Sequence, residues 1–344
     1  MIEKIMTSYI KTKQDQEKTD AVYKPSNIWM DGTIRKDKRY EPFIKKKDID
    51  GFENLLANFL RDKEIYGNTF NIPTTFMFSE YEIWKRLEGA NLKEAEDSGI
   101  GNPPHCMVGE YMLDTETGGI TFKHGIKLTT SSLRYQYNAY KISKLLKNIN
   151  EPIIVELGGG YGGLTYYLMK KNKRKMTYII YDLPEVAVLS SYYLSTAFPD
   201  KKILLYDDYE HEKHHLDFYD IIILPNFKLS ELPSKYVDLV LNFRSLSEMN
   251  KQSIEEYISQ ITRVSKYCGY FMHENCAQAR DVKISQSKFY EVPASDFLLP
   301  KEFMLLYENK SPFYDGRYYE YLYEHLDMSH WRFANIQLTD PKTL

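Results

Sequence analysis

Cysteine is scarce: the 344 residues hold three, Cys106, Cys268 and Cys276, and none forms a C-x-x-C pair. An odd, unpaired set excludes a disulfide framework and fits reduced thiols in a cytoplasmic protein. Long apolar runs are missing, so no membrane span is expected. The segment Met1 to Lys18 is polar with scattered apolar residues and reads as no secretory signal. Net charge is close to absent. Lys and Arg number 45 against 48 Asp and Glu, a balance of -3, which gives no global pull towards nucleic acid. Two lysine clusters, Lys45-Lys46-Lys47 and Lys170 to Lys175, do not change this. The second falls where a helix should end and complements its dipole. No internal repeat is present.

Tyrosine is what the chain has in excess, with 30 residues. Genome composition explains this as well as aromatic faces for sugar rings or purines, and composition does not separate the two. From about Glu151 to Asn275 short apolar runs alternate with helical periodicity. The runs are Ile153 to Val155, Tyr178 to Tyr181, Ile221 to Leu224, Val237 to Leu241 and Tyr270 to Met272. Runs this short and apolar fit strands buried on both faces of a parallel sheet. Between them, Pro184 opens a helix carrying Val186, Leu189, Tyr193 and Leu194. Ile254, Tyr257, Ile258, Ile261 and Val264 make a second apolar stripe, which Gly269 is expected to stop. A helix capped by Ser131 or Ser132 should precede the first strand, with Leu133, Tyr137, Leu145, Leu146 and Ile149 facing inwards. The pattern predicts an α/β fold with a doubly wound, mostly parallel sheet.

Residues 1–125 read differently. Turn signals are frequent, as at Gly101-Asn102-Pro103-Pro104 and Thr117-Gly118-Gly119. Only two helices stand out, near Asp50 to Lys63 and near Ser79 to Leu87. This region is expected to be an α-rich N-terminal cap or substrate-binding extension, with residues 126–344 forming the cofactor-binding domain. In the tail, Phe303 to Tyr307 and Tyr319 to Tyr323 should pair as an antiparallel hairpin, with Gly316 in the turn. His211-Glu212-Lys213-His214-His215 reads as an inserted polar loop.

The first strand runs into Glu156-Leu157-Gly158-Gly159-Gly160-Tyr161-Gly162. Glycines permit a tight turn there and let backbone amides approach a ligand at a helix N-terminus. Gly158, Gly160 and Gly163 also satisfy G-x-G-x-x-G, so a nicotinamide or flavin site competes. Glu156 tilts the choice. A pyrophosphate needs an anion-friendly floor, and a strand carboxylate works against it. S-adenosylmethionine carries an ammonium and a sulfonium, which a carboxylate attracts. Asp182 ends the second strand and is placed for ribose hydroxyls with either cofactor.

Glu156-x-Gly-x-Gly-x-Gly162 resembles motif I of class I methyltransferases. Tyr181-Asp182-Leu183-Pro184-Glu185-Val186 resembles the acidic strand end and Asp-Leu-Pro turn of small-molecule O-methyltransferases. Leu241 to Met249 resembles the fourth-strand segment of the bacterial sugar O-methyltransferase family. The resemblance spans about Leu133 to Asn275. It implies a Rossmann-like, seven-stranded sheet and S-adenosylmethionine as cofactor. Glu156, Gly158, Gly160 and Gly162 would line its methionine end, and Asp182 with Leu183 would hold the ribose. The third strand end would supply the adenine site. Of the two segments that could be that strand, Ile203 to Asp208 and Ile221 to Leu224, the second is favoured, which makes Asn226 and Phe227 adenine contacts. Asn242, at the fourth strand end, completes the cofactor set.

Chemistry should sit after the fourth and fifth strands. A sugar hydroxyl needs a base to take its proton. Glu248 is the first candidate and His273 the second. Their bland alternatives are a helix-start carboxylate and a hydrogen-bonded strand-end histidine. Arg244 would bind an anionic acceptor group or pair with Glu248. His105 and His124 belong to the cap and could reach an acceptor. No metal site is assigned: His211, His214 and His215 lack a supporting cysteine, and Asp207, Asp208 and Glu274 have no forcing spacing. The function expected is O-methylation of a sugar in bacterial surface polysaccharide (capsule or lipopolysaccharide) synthesis, from the cytoplasm. The partner is a small-molecule, glycan or nucleotide-sugar substrate, not a nucleic acid, and a homodimer stays open. Methylation of a polyketide or peptide natural product, a NAD-dependent oxidoreductase and a non-catalytic binding protein are the alternatives.

Overall fold

In the computed structural model, residues 1–65, 74–103, 106–108, 111–113, 120–122, 126–129, 131–284, 287–313 and 316–328 are described. The chain begins with helices α1 (Ile2–Gln16), α2 (Asn27–Lys46), α3 (Ile49–Ala57), α4 (Thr74–Trp84) and α5 (Leu92–Ala95). Two short antiparallel pairs follow. β1 (Cys106–Val108) pairs with β4 (Ile126–Leu128), and β2 (Tyr111–Leu113) with β3 (Ile120–Phe122).

The doubly wound region then runs α6 (Ser132–Leu145), β5 (Ile153–Leu157), α7 (Gly163–Lys171), β6 (Thr177–Asp182), α8 (Pro184–Ala197), β7 (Ile203–Leu205), α9 (Tyr206–Glu212), β8 (Ile221–Pro225), β9 (Val237–Phe243), α10 (Lys251–Val264) and β10 (Ser265–Cys276). A hairpin of β11 (Arg280–Ile284) and β12 (Ser287–Glu291) precedes β13 (Phe303–Lys310) and β14 (Tyr318–His325). The main sheet has the order β7-β8-β6-β5-β9-β10-β14-β13. Its first six strands are parallel, and β14 runs against its neighbours on both sides. The sheet is thus the doubly wound one expected, with eight strands where seven were counted. The extra edge strand is β7, so both segments weighed as the third strand are strands. β8 is the one beside β6, with Pro225 opposite Asp182.

Burial on both faces explains the unbroken apolar runs: every residue of β6 and β8 is buried. The strand order reverses at β5, where β6 pairs on one side and β9 on the other. A crevice at the carboxyl ends of β5 and β9 is therefore the ligand position of such a sheet.

Several local expectations shift. Helix α10 ends at Val264, not at Gly269, and β10 starts at once. Gly269 lies instead at a bulge in β10, where a Cβ would meet three backbone carbonyl oxygens at 3.0–3.1 Å. His211 sits on α9, whereas His214 and His215 follow it. The helix near Asp50 stops at Ala57, because Leu60 N–H turns out to bond Gly101 O at 3.1 Å. Ser132, not Ser131, bonds at the start of α6, its Oγ accepting from Thr129 N–H at 2.8 Å.

The largest addition is at the N-terminus, where α1 and α2 had left no clear signal. Ile2, Ile5, Met6 and Tyr9 bury one face of α1 against α8 and α9. Lys13 of α1 ion-pairs with the buried Glu185 of α8. Tyr40 of α2 is fully buried, packing edge-on against Tyr9 and Phe52. These helices read as weakly periodic because their apolar stripes are narrow and are shared between the sheet domain and one another.

Candidate functional site

A cavity of about 440 Å3 opens where β5, β6 and β9 end. That volume suits a small organic ligand or cofactor. Its floor is the glycine loop. Gly158 takes φ +76° and donates its N–H to Tyr181 O at 2.8 Å. A side chain at Gly158 would collide with Ser245, whose Oγ lies 2.3 Å from the added Cβ. Above Gly160, by contrast, a Cβ would meet nothing within 4 Å, so the loop presents open space to a ligand. Gly162 caps α7 at φ +87° and packs on Leu194; it shapes the loop and does not line the cavity.

Two carboxylates underlie this loop. Asp182 lines the cavity, its Oδ2 accepting from Gly160 N–H and its Oδ1 from Leu183 N–H, each at 2.7 Å. Leu183 lines the cavity beside it. Burial pushes the Asp182 carboxyl up to about 7, against the pull of both amides and of the Lys36 ammonium. Glu156 is buried behind the loop, where its Oε2 accepts from Tyr178 OH at 2.8 Å. Burial raises it to about 7 as well, with the Tyr178 bond opposing and the nearby Asp182 adding.

Asn242 does not face the cavity. It is fully buried and ties the strand ends together. Its Nδ2 donates to Leu157 O at 2.9 Å and Ser245 Oγ at 2.5 Å, while Oδ1 accepts from Leu246 N–H and Asn275 Nδ2. Asn226 does line the cavity, but its Nδ2 donates to Tyr23 O at 2.7 Å and Tyr257 OH at 3.0 Å, so it holds the chain before α2. Phe227 packs edge-on against Tyr206 and lies outside the cavity wall.

Among the expected catalytic groups, Glu248 and Arg244 reach the cavity. Glu248 Oε2 accepts from Trp29 Nε1–H at 2.7 Å. Burial raises the Glu248 carboxyl to about 7, assisted by Glu291 and opposed by the Trp29 bond and Arg244. Arg244 holds φ +75° and pairs with Glu274, not Glu248, its Nε donating to Oε1 at 2.7 Å. Its guanidinium also lies over the Tyr318 ring at 4.3 Å. Burial alone would raise the Glu274 carboxyl, but Arg244, Arg134 and Ser311 outweigh it and hold it low.

His273 is a different matter. It is buried beneath the sheet, stacked on Tyr321 at 4.7 Å and Tyr323 at 5.8 Å, and it does not line the cavity. Burial depresses its imidazole to about 3, so it is neutral at physiological pH. Alternation along β10 explains the miss: neighbouring residues point to opposite faces, and His273 points away. His105 and His124 fall outside the described residues. Among the described residues no three His, Cys, Asp or Glu side chains converge as a metal site, and no helix is long and apolar enough to cross a membrane.

Sequence reasoning missed the cavity's cover. Ser26 takes the N-cap position of α2, Trp29 lies in its first turn and Lys36 half-way along it, while Ser253 and Tyr257 come from α10, and Arg134 and Tyr135 from α6. The available signal was the seven-residue spacing of Trp29 and Lys36, which puts both on one helix face. The segment before α2 is tied down by Ser253 Oγ–H to Val22 O at 2.7 Å and Tyr23 OH to Glu256 at 2.6 Å.

No family model matches the chain, and no curated protein matches it. Among solved structures it is similar to 1,6-didemethyltoxoflavin-N1-methyltransferase of Burkholderia thailandensis, determined with S-adenosylhomocysteine. There identity is 15%, coverage 56% of this chain and 79% of that one, and TM-score 0.39. It is also similar to a SAM-dependent methyltransferase of Aquifex aeolicus, at 14% identity, 57% and 94% coverage, and TM-score 0.35. Likenesses this distant leave the chain's function to its own cavity.

Proposed function

We propose that this protein is an S-adenosylmethionine-dependent O-methyltransferase acting on a hydroxyl of a sugar, in the assembly of a bacterial surface polysaccharide in the cytoplasm. In this reading residues 126–344 hold the methyl donor, and residues 1–125 form the cap that closes over it through Trp29 and Lys36. One observation carries the donor assignment: two buried carboxylates, Glu156 and Asp182, sit under an open glycine loop at the strand-order reversal. Glu156 in that floor suits a cationic ligand and opposes a pyrophosphate, and Asp182 is placed for ribose hydroxyls. The sugar acceptor rests on the resemblance of Leu241 to Met249, and the hydroxyl on Glu248, whose raised pKa suits a general base near neutrality.

S-adenosylmethionine supplies an electrophilic methyl carbon on a sulfonium. An acceptor hydroxyl that received this methyl group would have to give up its proton. Glu248 takes the hydroxyl proton. Asp182 would orient the ribose, and its clasp on Gly160 holds the loop. Trp29 and the α2 cover exclude water. Ligand-dependent thermal stabilisation tests the reading. S-adenosylhomocysteine and S-adenosylmethionine should each raise Tm, and NAD should not. Stabilisation by NAD alone overturns it.

A further inference from the structure

A second cavity, of about 750 Å3, adjoins the first. Ser26, Glu248 and Met249 line both. Glu248 therefore stands at the junction of the two chambers. The second lies between α10 and the segment from β12 to Leu298. Its aromatic surface is Tyr290, which is 56% exposed. Among the described residues three carboxylates line it, Glu248, Glu255 and Asp296, with one lysine, Lys251.

Resting on the donor reading above, we infer that this chamber holds the acceptor, and that the acceptor is an amine-bearing hydroxylated ring, such as an amino sugar, without phosphate. Three features lead there. A methyl acceptor must meet donor and base together, and the wall shared at Ser26, Glu248 and Met249 gives access to both. Tyr290 offers a ring face on which a flat, partly apolar molecule can lie. The excess of carboxylates attracts an ammonium and repels a diphosphate, and a charged cleft concentrates the ligand of opposite sign. A nucleotide-linked sugar would need cationic groups to hold its diphosphate, as at an arginine cluster. Among the described lining residues Lys251 is the one cation, and it does not make such a cluster.

Saturation-transfer NMR on the full chain tests this, with S-adenosylhomocysteine at saturation and three probes: glucosamine, glucose and UDP-glucose. Glucosamine should give the strongest transfer, glucose less and UDP-glucose the least. Added salt should reduce the glucosamine signal more than the glucose signal. Tyr290→Ala should lower transfer to both monosaccharides, and Glu255→Gln with Asp296→Asn should remove the preference for glucosamine. These side chains are exposed, and an unchanged Tm shift with S-adenosylhomocysteine checks that the variants are folded. Glucose or UDP-glucose equalling glucosamine, transfer unaffected by the variants, or no transfer from any probe overturns the inference. Failure of S-adenosylhomocysteine to raise Tm at all instead overturns the donor reading.

Discussion

The glycine loop and the α2 cover face each other across one cavity, and they are built on opposite principles. The loop is local. Gly158, Gly160 and Gly162 all take positive φ within five residues, and its partners at Tyr181 and Asp182 sit on the adjacent strand. The cover is remote. Trp29 reaches Glu248 and Tyr23 reaches Asn226 across more than two hundred residues. A feature set by backbone conformation announces itself in residue types, whereas one set by packing does not.

Breaking each side in turn sharpens this contrast. The largest effect should come from Glu248→Gln, at the seam. Loss of a general base should slow methyl transfer by about 10²- to 10⁴-fold, with S-adenosylhomocysteine binding unchanged in calorimetry. Unimpaired turnover would remove Glu248 as the base. Next comes the loop. Gly158→Ala forces a Cβ into Ser245 at a left-handed backbone, which costs roughly 1–2 kcal/mol for conformation alone, with the collision added. Its stability loss should exceed that of Gly160→Ala, which is also left-handed (φ +59°) but meets no atom within 4 Å and instead places its Cβ in the ligand's space. Equal losses at both would show that the close approach to Ser245 does not matter.

The buried carboxylates should make the ligand-free protein pH-sensitive. Glu156 stands near 7 in the fold against an ordinary 4.5, so the fold keeps a proton that the unfolded chain has released. Its contribution is full below pH 4.5 and is lost as pH rises through 7. A shift of this size corresponds to about 3 kcal/mol. Thermal melts from pH 4.5 to 8 should therefore be flatter for Glu156→Gln than for the native chain, and parallel curves would refute this. A cationic donor favours the ionised carboxylates, so S-adenosylmethionine should bind more tightly at pH 8 than at pH 6.

On the cover, Trp29→Phe removes the bond that opposes the rise of the Glu248 pKa. The acid limb of the pH–rate profile should move up by about one unit, since a hydrogen bond to a charged group is worth about 1.5–3 kcal/mol. An unmoved limb would mean that Trp29 only fills space. The smallest effect belongs to Asn226→Ala, which frees Tyr23 O and should cost about 1 kcal/mol of stability. Faster proteolysis between Lys18 and Trp29 would register the released cover.

Legibility followed the same divide. The strands of the sheet, the helix opened by Pro184, the C-terminal hairpin and the acid at Asp182 were all readable, because each rests on short-range pattern. Asn242 and Phe227 were placed on the right strand ends with the wrong facing, and Asn226 lines the cavity but spends its amide on Tyr23 and Tyr257. Residue spacing locates a strand end but does not say which neighbour a side chain there will satisfy. His273 illustrates this best: polar, at the end of β10 and yet sealed in an aromatic stack. The N-terminal helices were the least legible, since their buried stripes are defined by the surface they cover.

By itself, then, the sequence determined the doubly wound sheet, the open glycine loop and the two carboxylates beneath it, because alternation, apolar runs and glycine φ preferences act over a few residues. Only the tertiary structure decided that α2 roofs the cavity, that Trp29 bonds Glu248, and that a second chamber meets the first at that carboxylate. Those contacts join segments far apart in the chain, and their energy comes from burial and hydrogen bonds that exist only once the sheet has formed.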